Sequence, residues 1–245
     1  MKNIGLILLF LLFSTNLFCQ KAEEHLEAGI AKEAEGNYKA AILEYNKALK
    51  INAHYVEAYV NRGIAKNYLG DYRGAIADYN HALGINPNAP ETYNLRGEVH
   101  NTLGEYNEAI SDFNQAIHLN KKHAKAYYNR GNSNQAVGHY KKAIKDYLKS
   151  ISINNAFPEV FFELGNVYTM QGNYEEAIKQ FDQSISLKTD FSRAYIARGV
   201  AKIKSGEHSG GCGDFKKAED LGDKTVQYMI QLYCEKKVTS EEETK

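Results

Sequence analysis

The 245-residue chain has no tryptophan, only three prolines and three cysteines, and no excess charge of either sign. Scarce proline leaves long stretches free to be helical, since proline is the residue that most reliably breaks a helix interior. Thirty basic residues balance thirty acidic ones, so the chain offers no net attraction for a polyanion and no nucleic-acid partner is expected. Catalytic motifs are missing as well. There is no HExxH, no GxSxG and no phosphate-binding glycine loop, and Ser209–Gly213 (SGGCG) lacks the GxGxxG spacing. The eight histidines show no ligand spacing, so no metal, cofactor or catalytic residue is expected. What remains is an ordinary globular composition, 43% hydrophobic and 24% charged.

The first nineteen residues stand apart. Lys2 is followed by an uninterrupted apolar run over 4–13, and no acid occurs before Glu23. The run is short for a bilayer span and fits the core of an export signal over 1–19. Cleavage after Cys19 would free the protein into the periplasm or cell envelope. Alternatives are lipidation of Cys19, which the bulky Phe18 disfavours, or retention of the segment as an anchor. Lipid on Cys19 is the one membrane contact expected. At the other end, residues 237–245 are polar and are expected to be disordered.

Between these ends the chain repeats. Gly29, Gly63, Gly97, Gly131, Gly165 and Gly199 are spaced 34 apart without insertion or deletion, and a second series runs from Gly36 to Gly206 at the same period. An aromatic precedes the first series by four residues, as Tyr59, Tyr93, Tyr127, Phe161 and Tyr195, with His25 in the first copy. Alanines 41, 75, 109, 143 and 177 recur, each followed four residues later by an aromatic. Six units follow, at 22–55, 56–89, 90–123, 124–157, 158–191 and 192–225, within a repeat region of 20–225. Each is read as two helices, the first running from about four residues before the first glycine. A glycine inside a helix costs about 1 kcal/mol against alanine, and close approach of an aromatic from the second helix would offset it. The second glycine lies where the first helix should end. A lone helix pair buries too little, so stacked copies must form the core jointly.

This pattern resembles the tetratricopeptide repeat family over about residues 22–225, with Tyr or Phe where that family usually has Trp. The resemblance implies an all-α, right-handed superhelical solenoid of six helix-turn-helix repeats. It also implies a groove lined by the first helices that binds an extended peptide or a partner helix. The inward positions carried over are Asn67, then Asn94, Glu98 and Asn101, then Tyr128, Asn132 and Gln135, then Phe162, Asn166 and Thr169. Side-chain amides both donate and accept, so they can pair with a peptide backbone of any sequence, while Tyr128 and Phe162 would hold side chains. The Lys/Asn/Arg clamp with which some members hold a carboxylate is not met.

Two further features come from comparing units. Arg62, Arg96, Arg130 and Arg198 are each followed sixteen residues later by Asp78, Asp112, Asp146 and Asp214, and the fifth unit changes both together, to Leu164 and Gln180. A repeated ion pair between the two helices is one reading, and plain duplication is the other. Val226, Met229, Ile230 and Tyr233 fall at i, i+3, i+4 and i+7, an amphipathic pattern read as a capping helix over 226–236. Cys212 and Cys234 would then face each other across the cap, either as a disulfide suited to an exported protein or as two buried thiols. The expectation is a non-catalytic scaffold that binds another protein or peptide in the envelope. The alternative is a structural or oligomerising envelope factor that acts through the stack ends or the convex face.

Overall fold

A computed structural model describes residues 20–235. The expected signal segment, Cys19 and the polar tail lie outside the described residues. By contacts the chain divides into two compact units, 1–122 and 123–245. Among the described residues every regular element is helical, and no helix is long and apolar enough to cross a membrane.

The first unit holds α1 (20–34), α2 (Tyr38–Ile51), α3 (Val56–Tyr68), α4 (Tyr72–Ile85), α5 (Pro90–Thr102) and α6 (Tyr106–Leu119). The second holds α7 (Ala124–Ala136), α8 (Tyr140–Ile153), α9 (Pro158–Met170), α10 (Tyr174–Leu187), α11 (Ser192–Ser205), α12 (His208–Asp220), a 3-10 turn (Lys224–Val226) and α13 (Gln227–Tyr233). Consecutive helices pair, α3 with α4 and α9 with α10 among them, and the first helices of neighbouring repeats also touch, as α3 does α5 and α9 does α11.

Local chemistry sets the boundaries. Pro90 and Pro158 open α5 and α9 at the position where a missing N–H costs nothing. The Asp71 carboxylate accepts from the Gly74 N–H at 3.0 Å and caps α4. Gly138, at φ 78°, turns the chain out of α7 in a conformation that other residues resist. At the ends of the second helices, Asn52, Asn86, Asn120 and Asn154 each accept from the N–H two residues on, at 2.9–3.1 Å, which fixes the turn to the next repeat. First helices start earlier than expected. They begin about seven residues before their glycine, as Val56 does before Gly63, because a small residue such as Ala58 is buried in that added turn.

The interior glycines are explained by contact. A Cβ on Gly131 would lie 2.5 Å from Tyr147 Cε1, and one on Gly165 would lie 2.6 Å from Phe181 Cε1. Both rings are fully buried. The sixth repeat closes more tightly still. A Cβ on Gly211, where other repeats carry alanine, would meet the Gly199 carbonyl at 2.8 Å.

The C-terminal cap differs in detail from a single helix. Asp223 accepts from the Ser192 hydroxyl at 2.6 Å and so ties the turn to the start of α11. Those bonds, to Ser192 and then Thr225, hold the carboxyl below the usual aspartate range. Val226 is fully buried, and Met229 and Ile230 pack on the Ile203–Phe215–Ala218 cluster. Tyr233 sits at the rim, 39% exposed. Cys212 and Cys234 are joined by a disulfide, with a Cα–Cα distance of 5.6 Å.

Candidate functional site

Two structures repeat through the helix pairs: a polar ladder tying first helix to second, and a face of the first helices left partly open.

In the ladder, Arg62 Nε and Nη2 donate to Asp78 at 2.9 and 2.6 Å. Arg96 does the same to Asp112, Arg130 to Asp146, and Arg198 to Asp214. The four aspartates are buried, and such two-point pairing suits the guanidinium fork. The bond to Asp112 holds the Arg96 guanidinium above its usual range, against the opposing effect of burial. A third bond was missed in sequence. Arg62 Nη1 reaches back to Asn46 at 2.6 Å, and Arg198 Nη1 reaches back to Asp182 at 2.6 Å. Arg62 and Arg198 therefore each join their own second helix and the one before it. The signal was present sixteen residues upstream of each arginine. Where Leu164 replaces arginine, the upstream residue is Leu148. The guanidinium also lies over an aromatic face, 5.4 Å from the Tyr59 ring centre for Arg62. Buried aspartates take a further partner one turn on: Lys66 with Asp78 at 2.8 Å, Asn134 with Asp146 at 3.0 Å, Lys202 with Asp214 at 3.0 Å.

On the open face, α3 presents Glu57, Val60, Ile64 and Asn67 at i, i+3, i+7 and i+10, one side of a helix. Tyr128, Asn132, Gln135, Asn166 and Thr169 are half-buried, as are Glu98 and Asn101. In the fourth repeat the polar groups are organised from beneath. The Tyr147 hydroxyl lies 2.8 Å from Asn132 Oδ1 and 2.7 Å from Gln135 Oε1. It donates its single proton to one, and an amide turned over donates back from the other. Asn166 donates to Glu163 at 3.2 Å, and the Thr169 hydroxyl donates to the Gly165 carbonyl at 3.0 Å.

Two expected lining residues are not on offer. Asn94 is 3% exposed and donates to Glu98 at 2.6 Å, so it is buried beneath the open face. Phe162 is 5% exposed, packed on Phe181 and Phe191 and covered by the Arg193 guanidinium 5.0 Å above its ring. Its ring is part of the floor and is not exposed on the open face. Tyr128 leans its ring on Phe157 at 5.0 Å, and burial pushes its hydroxyl above the usual tyrosine range.

Comparison with known proteins agrees with this geometry. The TPR repeat family profile matches residues 34–67, 65–104, 99–138, 136–172 and 165–206. The chain belongs to the tetratricopeptide repeat family. Among solved structures it is similar to MamA, at 31% identity, covering 71% of this chain and 94% of that one, with a TM-score of 0.62. A tetratricopeptide repeat protein from Parabacteroides merdae is 23% identical over 87% of this chain and 84% of that one, at a TM-score of 0.65. PilW, a type IV pilus biogenesis factor, shares the fold at 17% identity, over 86% and 99% of the two chains, with a TM-score of 0.78. No match is found among curated proteins. Repeats of this kind are protein-interaction scaffolds and generally non-catalytic.

Proposed function

We propose that the protein is a non-catalytic scaffold of the cell envelope whose first-helix face binds an extended peptide or a partner helix. One observation carries this reading. Half-buried amides recur on the first helices within each unit, and in the fourth repeat Asn132 and Gln135 are held from beneath by the buried Tyr147. Asn132 and Gln135 are thereby held in place, and a side-chain amide can both donate to and accept from a peptide backbone. YrrB, which has the same fold, has a peptide-binding site of its own. Export rests on the apolar segment before residue 20, and the Cys212–Cys234 disulfide fits an oxidising compartment. We read the Arg–Asp ladder as register-fixing rather than ligand-binding, because its carboxylates are buried.

The test is affinity capture from the protein's own cells with wild type and an Asn67→Ala/Asn101→Ala/Asn166→Ala variant. Helical content, checked by circular dichroism, should be unchanged. Capture of a specific partner that the variant loses supports the reading. The same partner retained by the variant overturns it.

A further inference from the structure

The open face of residues 20–122 differs in chemistry from that of the second unit. At one repeat-equivalent position it carries Glu23, Glu57 and Glu91, all exposed, where the second unit has Lys125, Glu159 and Arg193. No described side chain forms an ion pair with these three carboxylates. Beside them lie Ile30, 47% exposed, and half-buried Val60 and Ile64.

A second feature lies under the same face. Tyr79 is fully buried, and its hydroxyl has no hydrogen-bond partner. The equivalent hydroxyls show where it points. That of Tyr45 donates to Glu33 at 2.8 Å, and that of Tyr147 meets Asn132 and Gln135. In the second repeat the corresponding residues are Ile64, which has no polar side-chain atom, and Asn67, which does not engage the hydroxyl. Ile64 and Val60 pack against the Tyr79 cluster. A buried donor left unmade is costly, so a ligand that orders Asn67 against Tyr79 recovers that loss. The Tyr79 hydroxyl is also held above the usual tyrosine range, by burial first and then by Glu98, Asp78 and Glu33, so it keeps its proton and remains a donor.

We propose that the face formed by Glu23, Glu57, Glu91, Ile30, Val60 and Ile64 over the Tyr79 hydroxyl binds a basic, polyproline-II-like segment with Lys or Arg at every third position. This rests on the groove reading above and names the partner class for the first unit. The spacing follows from geometry. Packed helices lie about 8–10 Å apart, and α3 and α5 are in contact, which sets the step from Glu57 to Glu91 at about that interval. A polyproline-II chain has three residues per turn and rises ~3.1 Å per residue, which returns a side chain to one face every ~9 Å. The intervening apolar residue meets Val60 and Ile64. A backbone carbonyl accepts from the Asn67 amide, whose oxygen then accepts from Tyr79.

The experiment is fluorescence anisotropy of the purified protein with three labelled peptides. One repeats Lys-Pro-Val four times, one repeats Glu-Pro-Val four times, and one has the first composition with its lysines contiguous. The spaced basic peptide should bind about tenfold tighter than either other peptide, and raised salt should weaken it as the Debye length shortens. Glu23→Gln/Glu57→Gln/Glu91→Gln, which alters exposed groups alone, should cost about tenfold in affinity. Tyr79→Phe should weaken binding about threefold while leaving the thermal midpoint unchanged or higher, because it removes an unpaired buried hydroxyl. Equal binding of the three peptides, or full affinity in the glutamine variant, overturns the proposal. Those outcomes leave the groove reading intact if the asparagine variant still loses its captured partner, whereas a retained partner defeats the groove reading itself.

Discussion

Replacing Gly131 with alanine tests why the repeat keeps its first glycine. In most helices this change stabilises, since alanine exceeds glycine by about 1 kcal/mol in helix propensity. Here the new methyl would stand 2.5 Å from Tyr147 Cε1, 2.8 Å from Cδ1 and 3.1 Å from Cζ. The ring cannot swing into solvent, because it is fully buried and its hydroxyl is anchored at Asn132 and Gln135. Overpacking of this kind costs about 1–3 kcal/mol, and a weakened hydroxyl bond adds about 1 kcal/mol. Set against the propensity gain, a net loss of about 2 kcal/mol is expected. Gly213 supplies the control. It lies inside α12, and a methyl added there would meet nothing within 4 Å, so Gly213→Ala should stabilise by about 0.5–1 kcal/mol. Urea denaturation followed by circular dichroism measures both. Tyr147→Leu should relieve part of the Gly131→Ala penalty, giving a coupling between the two sites in a double-mutant cycle. Gly131→Ala as stable as wild type, or no coupling to Tyr147, would refute the close-approach explanation.

Three other outcomes follow from the same geometry. Arg96→Leu should destabilise by about 3 kcal/mol because it strands buried Asp112. Adding Asp112→Gln and Asn80→Leu, which copies the fifth-repeat set of Leu164, Gln180 and Leu148, should recover most of it in the same denaturation assay. Tyr79 and Tyr147 are held neutral far above the usual tyrosine range, by burial first and then chiefly by nearby carboxylates. Their contribution to stability is therefore complete below the unfolded value near pH 10, and it falls by about 1.4 kcal/mol per pH unit for each tyrosine above that. Alkaline unfolding monitored beside phenolate absorbance checks this, and ionisation of those tyrosines before unfolding would contradict it. Reducing the Cys212–Cys234 bond, which spans 22 residues, should weaken the cap by about 3 kcal/mol, seen as lost hydrogen-exchange protection over 224–235 with α7–α10 unchanged.

The periodicity of 34, the helix pairs and the Arg–Asp pairing were all legible in the sequence, because each depends on residue type at a repeated spacing. The partnership of arginine with the preceding second helix was equally visible, in Asn46, Asn80 and Asp182, but makes sense only once neighbouring repeats are seen to flank one guanidinium. Accessibility was not legible. Asn94 and Phe162 hold repeat positions that face the groove in the family, yet Glu98 takes up the amide of one and Arg193 covers the ring of the other. Nothing in the spacing distinguishes them from exposed Glu91 or half-buried Asn166.

The sequence alone thus determined the repeat, because a helix pair that must bury one stripe against identical copies constrains the same positions every time. Only the tertiary structure decided which surface groups remain free. That depends on which long side chain lies across which neighbour, as Arg193 does over Phe162, and on whether a buried hydroxyl finds an acceptor, as Tyr147 does and Tyr79 does not. Such outcomes turn on contacts between positions that differ from one repeat to the next, and a periodic pattern carries no record of them.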